Sequence, residues 1–315
     1  VASLAFGVVA FFVWMAFRSE EAEGPEPRVA VERNAPIDGR FRVLVPIAFP
    51  NTIPSLIDLA AGIAKERDGE IIALRVISAP EQLGPRIDYE AVQAEEEILK
   101  VAHDRASEKG LVCSSMVVIG NDIAQAILHS ARRKQCNLVV MGWKGHTSKT
   151  ERIMGEVVDT VIASADCDVV VMKRVGTDNV RRILLPTAGG IHAQRAESYC
   201  ISLAKDLGAD LTVCTVNLPE GDSSRSQLTL DAAAKRLEGQ HRASFKLLNN
   251  KSVVDAIVEE AKGYDAVIIG AAVESSYRRI LFGTIPEQVA RRTECTVIVV
   301  KRHHAVRAML AKVMQ

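Results

Sequence analysis

The sequence is duplicated, and this internal repeat limits the possible folds more than any other feature. Three apolar segments occur twice, in the same order. The segments of the first copy are 42–46 (RVLVP), 137–142 (NLVVMG) and 168–173 (DVVVMK). Their counterparts in the second copy are 182–186 (RILLP), 265–270 (DAVIIG) and 296–301 (TVIVVK). Because the order is kept, we interpret the chain as two consecutive copies of one domain. Its 315 residues suffice for two domains of ordinary size.

Aliphatic runs alternate with amphipathic segments in each copy. In the first copy, the runs predicted as strands are 41–46, 70–77, 112–119, 137–141 and 168–173. Their nearly continuous aliphatic character is typical of parallel strands covered on both faces. The segments between them, such as 89–109 and 122–134, carry apolar residues at helical spacing. We therefore predict an α/β fold of two tandem doubly wound parallel-sheet domains, at 40–175 and 178–302.

The N-terminus differs in kind from the rest of the chain. Residues 1–17 carry no charge, with Trp14 near the end of the run and Arg18 closing it, as is typical where a membrane helix meets lipid headgroups. We expect part of a transmembrane helix; a signal peptide and a buried core helix are the alternatives. Residues 18–39 mix acidic residues with prolines, which predicts an extended linker to the soluble domains.

Charge and cysteine usage restrict the partners and the compartment. The 39 basic residues balance 39 acidic residues, so the broad positive field of a nucleic-acid-binding protein is missing. The six cysteines form no C-x-x-C pair and have no histidine at metal-ligand spacing, which favours buried reduced thiols over metal ligands. Together with the arginines that follow the apolar run, this predicts a membrane protein whose soluble domains are cytoplasmic.

A glycine frame follows the fourth predicted strand of the first copy. Gly142-Trp143-Lys144-Gly145 is separated by nine residues from Gly155, at the predicted start of a helix. Ligands of doubly wound sheets bind at the carboxyl ends of strands, and glycines there let backbone N–H groups approach phosphate oxygens. The helix N-terminus adds a favourable dipole. These residues predict a phosphate site; a purely structural turn is the alternative.

These motifs are similar to those of the universal stress protein family, whose nucleotide-binding members show G-x-x-G, nine residues, and then glycine followed by serine or threonine. The resemblance covers 40–173 and 180–301. It implies an α/β fold that binds ATP or another adenine nucleotide, with or without magnesium, and that pairs through the last strand of each domain. A membrane span followed by two such domains also resembles the C-terminal end of amino-acid permeases and related secondary transporters.

Both copies depart from the family pattern. In the first copy Glu156 replaces the hydroxyl residue, and its carboxylate opposes phosphate. The second copy keeps Gly270, Gly283 and Thr284, but Val273 replaces the second glycine. The family's aspartate after the first strand is alanine in both copies, at Ala48 and Ala188. The first copy, with all three glycines, is therefore the better candidate site.

The expected function is a regulatory or sensor tail of a membrane transporter, with an amino-acid permease as the expected transporter. It would act by binding, because no catalytic set is evident. One alternative is a structural module without ligand, whose last strands pair within the tandem and between protomers. Another is slow ATP hydrolysis in the first copy, for which no positioned base is found. Residues 303–315 are predicted as a short basic amphipathic helix or a disordered end.

Overall fold

The structure is a computed structural model, and it describes residues 26–78, 89–143, 155–176, 179–219, 221, 223–271 and 284–303. The predicted membrane span at 1–17 and all but the first residue of the predicted tail at 303–315 lie outside these ranges. None of the helices in the described ranges combines the length and the apolar composition needed to cross a bilayer.

Each copy alternates strands with helices as its sequence predicts. The first copy contains strands β1 (Arg28–Arg33), β2 (Phe41–Pro46), β3 (Gly69–Ser78), β4 (Cys113–Gly120), β5 (Leu138–Trp143) and β6 (Asp168–Lys173), and helices α1 (Ile53–Lys65), α2 (Tyr89–Glu108), α3 (Ile123–Arg133) and α4 (Glu156–Ser164). The second copy contains strands β7 (Arg182–Pro186), β8 (Asp210–Asn217), β9 (Ala243–Asn249), β10 (Ala266–Gly270) and β11 (Thr296–Lys301), and helices α5 (Ile191–Leu207), α6 (Ser223–Leu237), α7 (Val253–Ala261) and α8 (Thr284–Arg292).

The strands of both copies form one sheet of 11 strands in the order β1-β4-β3-β2-β5-β6-β11-β10-β7-β8-β9. Strands β2 to β6 are parallel to one another, and so are β7 to β11. Helices α1, α2, α5 and α6 cover one face of the sheet and bury one apolar cluster, while α3, α4, α7 and α8 bury a second cluster on the other face. This arrangement confirms the predicted α/β fold class.

Strand β1 is the part of the fold that the sequence analysis missed. It lies within residues 18–39, which we expected to be an extended linker, and it pairs antiparallel with β4, from Arg28 opposite Ile119 to Arg33 opposite Ser115. Its sequence, RVAVER, contains a run of only three apolar residues. Such a run is too short to stand out in an acidic, proline-containing segment.

The two copies join through their last strands. Strand β6 pairs antiparallel with β11, and a lysine at the end of each strand reaches across to the other copy. Lys173 Nζ donates to the carbonyl oxygens of Ala290 and Thr293 at 2.6 and 2.9 Å, and Lys301 Nζ donates to that of Ile162 at 2.5 Å. Because β5 and β10 occupy the other edges of these strands, each last strand is paired on both sides within the chain, while pairing between protomers stays a prediction.

We expect Lys301 to make stability depend on pH. Burial lowers the pKa of its ammonium group to about 8. In the unfolded chain the same group keeps its proton up to a pH of roughly 10.4, so unfolding takes up a proton between these values and the folded state gains stability as the pH rises. Between pH 7 and pH 10, the free energy of unfolding of the wild type should therefore rise by about 2 kcal/mol relative to that of Lys301→Met.

Urea unfolding followed by circular dichroism at each pH measures this difference. The matched control is Lys251→Met, which removes a lysine from an exposed position. Its difference from the wild type should stay constant over the same range, and an equal slope for both variants would refute the assignment to Lys301.

Candidate functional site

A cleft of about 970 Å³ opens at the carboxyl ends of the first copy's strands. It is lined by the loop after β2 with Ala48, by Gly142 and Trp143 at the end of β5, by Gly155 before α4, and by Arg174 after β6. Parallel strands present ligand-binding positions at this edge of a doubly wound sheet. The cleft therefore lies where the glycine frame predicts a site.

The wall near β2 is fixed by a half-buried arginine. Arg75, on β3, donates from Nη1 to the carbonyl oxygens of Ile47 and Ala48 at 2.6 and 3.0 Å, and its Nε pairs with Glu95. The backbone of the loop after β2 is thus held, although Ala48 supplies no polar anchor of its own.

The structure brings Gly142 and Gly155 together on this cleft. Gly142 is exposed, and a Cβ placed there would meet only Leu56, at 3.8 Å. Gly155 adopts φ of 105°, which favours glycine, and it is the residue at which α4 begins. The cleft is thus lined by the start of α4, where a helix presents its first N–H groups and the positive end of its dipole. Lys144 and Gly145 lie outside the described residues.

Charges of both signs line the cleft. Glu156 occupies the first turn of α4 and is exposed, so the carboxylate that departs from the family pattern does lie at the candidate site. Arg174 is exposed on the same cleft and offers one cation. A bound phosphate there would gain from the helix dipole and Arg174 and lose through Glu156.

Trp143 is a site residue that the sequence analysis did not propose. Its side chain is buried and lines the cleft, and its indole Nε1–H finds no acceptor among the described residues. A buried donor without a partner costs free energy, which a ligand acceptor would recover. The signal in the sequence was a bulky aromatic residue inside the glycine frame.

The corresponding position in the second copy is closed. A Cβ placed on Gly270 would lie 2.5 Å from Ala193 N and 2.5 Å from the carbonyl carbon of His192, because the first turn of α5 packs directly on the end of β10. Gly283 lies outside the described residues, and of Thr284 only the backbone, at the start of α8, is described. The glycine at the end of β10 thus serves close backbone packing in this copy.

In the second copy, polar side chains occupy the region at the carboxyl end of β7. Glu197 is 3% exposed and accepts hydrogen bonds from Thr187 Oγ1 at 2.8 Å and from Arg236 Nε and Nη2 at 2.7 and 2.9 Å. Thr215, the residue at the position of Arg75, donates from Oγ1 to the carbonyl oxygen of Thr187 at 3.1 Å. These groups satisfy one another, so the described residues of the second copy present no matching cleft at this edge.

The cysteines are unsuited to nucleophilic chemistry. All six are free, as expected, and four are buried. Burial raises the pKa of Cys113, Cys136 and Cys214 to about 12. Thiols with such values stay protonated at neutral pH.

The fold and the cleft define a tandem α/β protein with a ligand-sized cleft in its first copy. Comparison with known proteins agrees: the universal stress protein family model matches residues 39–173 and 179–301. The chain belongs to the universal stress protein family.

Three individual proteins are similar to this chain. The chain is 26% identical over 281 residues to the Na(+)/H(+) antiporter NhaS5 of Synechocystis, an alignment that spans 87% of this chain but only 40% of the antiporter. A universal stress protein from Archaeoglobus fulgidus superposes on 84% of this chain and 97% of its own, with a TM-score of 0.61 and 21% identity. The cytoplasmic domain of a prokaryotic cation chloride cotransporter shares the fold over 83% of this chain and 95% of its own, with a TM-score of 0.56 and 12% identity.

Proposed function

We propose that this chain is the regulatory tail of a membrane transporter and that its first copy binds an adenine nucleotide. The observation that carries the binding proposal is the difference between the copies. The same strand end carries an open cleft beside Gly142 and a closed backbone contact beside Gly270. A cleft that the described residues form in the first copy and not in the second supports a ligand site over a requirement of the fold.

The transporter part of the proposal rests on the relation to NhaS5, which extends over both domains. This relation supports a cation antiporter as the attached transporter, while the amino-acid permease stays a prediction. We place the domains on the cytoplasmic side of the membrane, where adenine nucleotides and reduced thiols are available.

The proposed action is binding and not catalysis. A nucleotide that prefers one arrangement of the tandem shifts the population of transporter states by no more than its difference in affinity for them. The cleft offers phosphate the N-terminus of α4 and the cation of Arg174, and it offers a base the apolar wall of Leu56, Ile123 and Trp143.

Calorimetric titration of ATP, ADP and AMP, with and without magnesium, into the detergent-solubilised chain tests the proposal. We expect saturable binding, accompanied by a change in tryptophan fluorescence. The change is expected because Trp143 lines the cleft, and Trp14 is the one other tryptophan in the sequence. Glu156→Ser should tighten ATP binding about tenfold, since it removes a carboxylate from the site and restores the hydroxyl of the family pattern.

Two variants locate the site. Gly142→Leu places a side chain in the cleft and should abolish binding, whereas Thr284→Ala, which removes the hydroxyl of the second copy's motif, should leave binding as in the wild type. Absence of heat with all three nucleotides at millimolar concentration would reject nucleotide binding, and loss of binding only in Thr284→Ala would move the site to the second copy.

A further inference from the structure

The two copies differ at their outer edges as well as at their clefts. In the first copy β4 is covered by β1, which adds one antiparallel strand to the sheet. The counterpart of β4 in the second copy is β9, and no described strand pairs with its outer edge. Within the described part of the chain, the long sheet therefore ends in an open row of backbone N–H and C=O groups.

The connection between the copies explains why β9 lacks a covering strand. The segment before β2 supplies β1, but the segment before β7 consists only of residues 174–181, which leave β6 and enter β7. Val175 is held beside β11 by hydrogen bonds of its N–H and carbonyl groups with Thr296 Oγ1, at 3.2 and 2.9 Å. No part of this segment is left to form a strand at β9.

The side chains on β9 favour a strand partner over water. Phe245 is 40% exposed on the strand, beside a shallow groove of about 460 Å³ at the end of α6. The groove carries a basic and an acidic side chain, Lys235 and Glu238, so two copies of it bring no net like charge together. A large exposed aromatic residue on an open edge is typical of a contact surface.

We propose that β9 pairs antiparallel with β9 of a second copy of this chain, around a two-fold axis at Phe245. In this register Phe245 faces Phe245, Ala243 faces Leu247, and Ser244 faces Lys246. Aromatic and apolar cross-strand pairs of this kind stabilise antiparallel sheets. A register centred on Lys246 would instead oppose two ammonium groups, and Lys246 already bonds Glu260 within its own copy at 2.9 and 2.7 Å.

Such pairing is isologous, because the same residues serve both partners. It joins two 11-stranded sheets at their second copies and leaves the first-copy clefts at a distance from the contact. The dimer therefore does not depend on whether nucleotide binds.

Cross-linking of the full 315-residue chain in detergent or membranes tests the register. Cβ atoms directly opposite in an antiparallel pair lie about 4.5–5.5 Å apart, close to disulfide distance. Phe245→Cys should thus give a covalent dimer under mild oxidation, at least ten times faster than Leu228→Cys. Leu228 is the matched control because it lies on α6 and is 67% exposed, more than Phe245.

Charge exchange at the axis gives an independent test by sedimentation velocity. Phe245→Lys and Phe245→Asp should each convert the dimer to monomer, and an equimolar mixture of the two variants should restore it. A monomeric wild type at micromolar concentration, a dimer that both substitutions leave intact, or equal cross-linking at positions 228 and 245 would overturn the proposal.

Discussion

Gly270→Ala should destabilise the protein by about 3 kcal/mol, whereas Gly142→Ala should change its stability by less than about 1 kcal/mol. The two glycines occupy equivalent positions near the carboxyl ends of β5 and β10, yet their surroundings differ. The added Cβ would lie 2.5 Å from the backbone of α5 in the second copy and 3.8 Å from a leucine methyl group in the first. Backbone atoms of a packed helix cannot move aside as a flexible side chain can, so α5 would have to shift.

Urea unfolding of both variants, followed by circular dichroism, measures this difference. The pair forms its own control, because residue type, strand position and substitution are the same. Equal losses of stability would mean that α5 does not close the second cleft, and the argument for one open site would fail with it.

Glu70→Ala should destabilise the protein by about 3–5 kcal/mol, the cost of breaking a buried ion pair. Glu70 is 0% exposed, and its Oε1 accepts from Arg42 Nε at 3.0 Å. Its other oxygen accepts from the backbone N–H of Ile37 at 2.9 Å. Removing the carboxylate would leave a buried guanidinium group with less compensation and release the segment that leads from β1.

Asp38→Ala is the matched control for this change, because Asp38 is the exposed acidic partner of the same arginine. Its Oδ1 lies 3.1 Å from Arg42 Nη2, but its side chain is fully open to solvent. An exposed ion pair contributes about 0–1 kcal/mol, so this variant should unfold almost as the wild type does. A comparable loss in both variants would show that burial does not set the strength of the pair.

The fold was largely predictable because most of its strands correspond to continuous aliphatic runs in the sequence. Continuous aliphatic runs such as 168–173 predicted β6 with its observed bounds, and the 89–109 segment matched α2 to within one residue. Strand β1 was missed since its stability comes from pairing with β4, about 85 residues away in sequence, which no local pattern reports.

The candidate site was predictable in part for the same reason. The glycine frame pointed to the end of β5, and the structure places Gly142 and Gly155 on one cleft. Closure of the second copy depends on where His192 and Ala193 lie relative to Gly270, which is a tertiary contact. The unpartnered indole N–H of Trp143 likewise follows from packing around a residue whose sequence context suggests only a strand end.

The antiparallel contact between β6 and β11 has a consequence for how the tandem depends on concentration. Both strands belong to one chain, so the effective concentration of each copy for the other is set by the short connection of residues 174–181 and not by expression level. A pair held in this way stays assembled at any dilution. Selection on the second copy could then preserve its partner strand alone, leaving its ligand pocket free to close while the first copy kept one.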